Sequence, residues 1–130
     1  MPYLFYLGRL LYGGYFFYSG INHFRYLDMM SQYAASKKVP MPKVAVALSG
    51  LLITLGGLWI LTGYLVQVGI AEISIFLLLV SFKMHDYWNE TDSNMQMSSR
   101  VNFMKNMALL GAALMMLQIP VANWGWVLFG

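Results

Sequence analysis

This chain contains no cysteine. Disulfides, thiolate metal sites and thiol relays are therefore excluded, and two histidines without cysteine make a poor zinc site. Charge is almost as scarce. Asp, Glu, Lys and Arg together supply 10% of the 130 residues, where a soluble domain carries about a quarter. So few charges cannot cover a water-facing surface, which leaves lipid as the expected solvent. No glycine-rich strand-to-helix turn is present to cradle a phosphate. The start of the chain lacks a basic region followed by a small-residue cleavage site, so the first apolar segment is expected to stay in the mature protein.

What is abundant is apolar side chain, at 59% of residues. A helix needs about 20 such residues to cross a bilayer core. Four stretches qualify: 3–22, 44–63, 66–84 and 103–119. The expected fold is all-α, an integral-membrane four-helix bundle forming one domain. Residues 24–42 hold "FRYLDMMSQYAASKK", which reads as a short interfacial helix. Pro40 and Pro42 then predict an extended approach to the second span. Residues 87–101, rich in Asn, Ser and Met, read as a second long connection.

Four spans put both termini on one side. Arg25, Lys37, Lys38, Lys43, Lys83, Arg100 and Lys105 flank the two long connections, and only Arg9 lies elsewhere. The excess of basic residues places those connections in the cytoplasm and both termini outside. Trp124 and Trp126 are expected in an outer aromatic belt. Glycine recurs at helical spacing, with Gly13 and Gly20 on span one and Gly50, Gly56, Gly57 and Gly63 on span two. Small residues let helix backbones approach closely in lipid.

Two ionisable residues lie inside spans, where charge is costly and marks candidate sites. Arg9 and Glu72 each stand six residues past an outer span start, which predicts an ion pair between spans one and three. Periodicity puts Arg9, Tyr12, Gly13, Phe16, Ser19, Gly20 and His23 on one face. It puts Glu72, Phe76, Leu79, Lys83 and Asp86 on another, and both faces are expected to look into the bundle. A structural pair, a pair lining a ligand cavity and a snorkelling charge all fit that spacing.

A second constellation collects at the opposite end: Asn22, His23, Lys83, His85, Asp86, Trp88, Lys105 and Asn106. Cations, a carboxylate and imidazoles in one shell suit an anionic or quinone-like head group and proton movement. The specific expectation is that Asp86 pairs with Lys105 or an imidazole, with Tyr87 and Trp88 as an aromatic wall. The alternative is a solvated helix-end cap.

Four ordered segments then point to a family. "GRLLYGGYFFYSGINHF" at 8–24 resembles the opening helix of the DoxX family, which reads G-R-x-x-x-G followed by S-G-I-x-K. "LGGLWILTGY" at 55–64 is similar to its second helix, and "HDYWN" with "KNMALLGAAL" resembles its H-D-F-W and K-N-L-A-L-L-G-G signatures. Here His23 stands near the family's lysine, and Ile53 and Thr54 stand where the family often has a glutamate. The resemblance implies a multi-pass protein of the cytoplasmic membrane linked to oxidoreductases and quinone. No catalytic or cofactor motif is self-contained in the chain, so a partner oxidoreductase subunit would supply the redox cofactor. Quinone is the one cofactor implied. The expected partners are the lipid bilayer, that subunit and a second copy of the chain, but not nucleic acid. A small-molecule transporter or binding protein and an assembly scaffold are the competing functions.

Overall fold

The computed structural model describes residues 2–125. They form five α-helices and, among the described residues, no strand. α1 (Pro2–Arg25), α3 (Pro42–Thr62), α4 (Val66–Met84) and α5 (Ser93–Met116) are long, and α2 (Leu27–Ser36) is short. α3 and the segment that begins with α4 are long and apolar enough to cross a membrane. The apolar run of α1 is broken by Arg9, and α5 opens on the polar stretch "SNMQMSSR".

Local chemistry sets most helix ends. Pro42 is the first residue of α3, where its missing N–H costs nothing. Gly63 closes α3 at φ 76°, and its N–H donates to the Trp59 carbonyl. The approach to α3 is not extended as expected: Met41 is left-handed at φ 46°. The larger correction concerns α5. Asp92 accepts from the Met95 N–H at 3.2 Å and caps the helix. The stretch 93–102 is therefore helical, although its polar composition reads as a loop. Between α4 and α5 only a 3₁₀ turn, Tyr87–Asn89, and a few linking residues remain.

α1 packs on α3, α3 on α4 and α4 on α5. Glycine explains how close the first two contacts are. A Cβ on Gly57 would lie 2.5 Å from the Gly13 carbonyl oxygen and 2.5 Å from the Phe17 nitrogen, both backbone atoms of α1. A Cβ on Gly69 of α4 would lie 2.8 Å from the Gly56 oxygen of α3. α1 reaches α5 through side chains, with the Tyr12 hydroxyl donating to the Leu109 carbonyl at 2.7 Å. Phe16, Ile53, Ile60, Ile70, Ile73, Leu77, Ala113 and Trp124 form the buried core.

Two contacts fix the ends of this assembly. Arg9 near the start of α1, the last turn of α3 and Trp124 meet at one end. α2 and the α4–α5 connection meet at the other, where Lys37 pairs with Asp86 and Glu90.

Candidate functional site

The face of α4 that carries Glu72 continues through Phe76, Leu79 and Lys83, as the periodicity predicts. It does not look into the core. The buried stripe of α4 is Val66, Ile70, Ile73, Leu77 and Ser81. Both stripes are mainly apolar, so periodicity identifies each face without saying which one is buried. The Glu72 face instead lines a groove of about 1060 Å³ between α3 and α4, open along one side. α2 roofs it with Met29, Met30, Tyr33 and Ala34. The lining is almost wholly apolar, and His23, Ser49, Glu72 and Lys83 are its exceptions.

Each polar group in the groove is held differently. His23 Nδ1 lies 3.2 Å from the Val46 carbonyl oxygen and 3.1 Å from Ser49 Oγ, and its ring packs against Phe76 at 5.7 Å. Close packing of α1 on α3 brings this imidazole into reach, since a Cβ on Gly50 would lie 2.6 Å from His23 Cβ. Oε1 of Glu72 is buried without a partner.

The expected Arg9–Glu72 ion pair is absent among the described residues. α3 lies between α1 and α4, and Arg9 turns to the end of α3. Its Nε donates to the Ile60 carbonyl at 3.1 Å, Nη2 to Leu61 at 3.2 Å and Nη1 to Trp124 at 2.9 Å. A cation suits the C-terminal carbonyls of a helix. The guanidinium also lies over the rings of Tyr6 and Trp124, at 5.7 and 5.8 Å. Trp124 is fully buried, packed edge-on to Phe5, and so forms no part of an exposed aromatic belt. Trp126 lies outside the described residues.

The expected cluster at the other end is divided. Asp86 pairs with Lys37 at 2.8 Å, not with Lys105 or an imidazole. Lys37 also meets Glu90 at 2.5 Å, and Asn89 donates to Asp86 at 3.0 Å. Sequence reading missed Lys37 because α2 reaches across α3 to the α4–α5 connection, a contact that spans 49 residues. Burial lowers the affinity of the Lys37 amine for its proton, but hydrogen bonds to Asp86 and Glu90 outweigh it and hold the amine above the ordinary lysine range. Lys105 instead donates to the Tyr15 hydroxyl at 3.2 Å. Asn106 is buried on α5, and Oδ1 of Asn22 is buried without a partner. Trp88 does stand in an aromatic wall, with Phe82, Tyr87 and Phe103 around it at 5.2–6.0 Å. Of the residues singled out in the sequence, the groove thus gathers His23, Glu72 and Lys83. Ser49 of α3 and Tyr33 of α2 are additions: the sequence marked Ser49 only as a small residue for helix packing, and Tyr33 only as part of a weakly amphipathic stretch.

Among the described residues the chain is all-helical, with two helices apolar enough to span a bilayer and a mainly apolar groove that carries His23, Ser49, Glu72 and Lys83. The DoxX family model matches residues 4–86, from α1 to just past α4. The chain belongs to the DoxX family. The match stops before α5, so the "KNMALLGAAL" likeness lies outside it. No curated protein and no solved structure matches the chain.

Proposed function

We propose that this protein is a multi-pass protein of the cytoplasmic membrane that holds a quinone-class molecule in the groove beneath α2, as a membrane subunit or accessory of an oxidoreductase. The observation that carries the reading is the groove itself. It is mainly apolar along its length, as an isoprenoid chain requires, and Glu72 and His23 stand in its wall for a head group. The partner oxidoreductase supplies the redox centre.

In this reading α1, α3, α4 and α5 all cross the bilayer. α1 and α5 have 24 residues each, about 36 Å at 1.5 Å per residue. Large apolar side chains stand exposed along α1 (Leu4, Leu7, Leu11, Ile21) and along α5 (Val101, Met104, Leu114, Met115). Such surfaces are stable against lipid and not against water. The end that carries α2 and the α4–α5 connection holds seven of the eight basic residues and faces the cytoplasm.

The test is purification in mild detergent followed by mass spectrometry of the extracted lipids. A quinone-class molecule, in either redox form, should be retained by the native protein and lost when Leu52→Trp fills the groove. A native protein that retains neither form overturns the reading. Solute uptake into liposomes would then favour a transporter, and its absence a scaffold.

A further inference from the structure

The hydrogen bonds of His23 fix which ring nitrogen carries the proton. The Val46 carbonyl oxygen can only accept. Ser49 Oγ donates its one proton to that oxygen at 2.9 Å, so towards His23 it too can only accept. Nδ1 faces both, at 3.2 and 3.1 Å. It must therefore be the N–H, and in the neutral ring Nε2 is left as a bare acceptor. Nε2 makes no hydrogen bond among the described residues. His23 lines the groove, so this lone pair is the group its ring can offer a ligand. The tautomer is set by the backbone of α3 and cannot reverse without breaking the contact to Val46.

A ligand that meets Nε2 has to bring a donor. A quinone head carries two carbonyl oxygens and no donor, whereas its reduced form carries two hydroxyls. Glu72 stands one helical turn from Phe76, whose ring packs on His23, but its Oε1 is enclosed by protein. We infer that the groove selects the reduced, hydroxyl-bearing quinol over the quinone, with His23 as the specificity-determining residue. This rests on the quinone-class reading above and goes further, because it states which redox form is held. A site that retains quinol in place of quinone stores or hands on the product of a dehydrogenase and does not feed it substrate.

The experiment compares two forms of one probe on the intact protein in nanodiscs. Tritiated decyl-benzoquinone, oxidised or reduced with dithionite under argon, is titrated against the immobilised protein. One added hydrogen bond is worth about 1 kcal/mol, so quinol should bind about 5-fold more tightly. In His23→Phe the ratio of the two affinities should fall to about 1, and a ratio taken within one variant cancels any general loss of folded protein. Nitrogen-15 shifts of the His23 ring in a His85→Gln background give an independent readout. They should show Nδ1 protonated and Nε2 bare. Equal affinities, a ratio unchanged by His23→Phe, or a protonated Nε2 would each overturn the selection of quinol. If both forms bind equally, the quinone-class reading survives and the inference falls. If neither binds, both fall.

Discussion

Replacing Gly57 by alanine adds one methyl group where two helices touch through their backbones. The new Cβ would lie 2.5 Å from the Gly13 oxygen, 2.5 Å from the Phe17 nitrogen and 3.0 Å from the Phe17 Cα. Ordinary contact begins at 3.4 Å. None of the three atoms belongs to a side chain that can rotate away, so α1 and α3 must separate by close to an ångström. That movement also loosens Gly13 against Gly57 and Gly20 against Gly50, because all lie on one seam. Overpacking of this kind costs about 1–3 kcal/mol, and the upper half of that range is expected where backbone meets backbone. Gly14→Ala is the control. Nothing lies within 4 Å of a Cβ there, and alanine in a helix gains about 0.5–1 kcal/mol over glycine. The same chemical change should therefore have opposite signs one residue-face apart. Equilibrium unfolding in mixed SDS micelles, followed by circular dichroism, measures both. If Gly57→Ala unfolds at the wild-type SDS fraction, the close seam between α1 and α3 is wrong.

Three further outcomes are expected. Arg9→Met removes three hydrogen bonds to the Ile60, Leu61 and Trp124 carbonyls and should destabilise by about 2–3 kcal/mol. Combined with Glu72→Gln, its cost should be additive within about 0.5 kcal/mol, and strong coupling in that cycle would mean the two charges interact after all. Lys37→Met leaves Asp86 and Glu90 without their cation and should cost about 1–3 kcal/mol. The Lys37 amine is held above its ordinary value of 10.5, so its contribution is complete below that pH and is lost only as pH rises through the raised value. The difference between wild type and variant should accordingly stay constant from pH 6 to 9, and a difference that fades within that window refutes the pairing of Lys37 with Asp86 and Glu90. A reporter enzyme fused after Gly130 should be active only outside the cytoplasm, and cytoplasmic activity would reverse the proposed orientation.

The sequence by itself determined the solvent and much of the helical layout. With 10% charged residues, only lipid suits so much apolar surface. Gly63 ends α3 where expected, α3 starts two residues before its expected bound at 44, and Val66–Met84 is a helix at its expected bounds. The glycines at helical spacing do form the close contacts, because nothing else permits backbones to touch. The shared face of Glu72, Phe76, Leu79 and Lys83 was legible too, since helical periodicity is a local property.

Tertiary structure decided where each face points and which charges meet. Both faces of α4 are apolar, so nothing local distinguishes the core stripe from the groove stripe. Arg9 and Glu72 were matched along the membrane normal, but an ion pair also needs matching azimuth, and α3 stands between their helices. Asp86 took Lys37 and not Lys105 because α2 crosses to the α4–α5 connection, a path no spacing rule encodes. The helical character of 93–102 was hidden for a similar reason: a capping aspartate and packing on α4 overrode a composition that reads as a loop. The His23 tautomer depends on two acceptors of α3, 23 and 26 residues along the chain. Only a fold that brings Gly20 against Gly50 places them within hydrogen-bond reach.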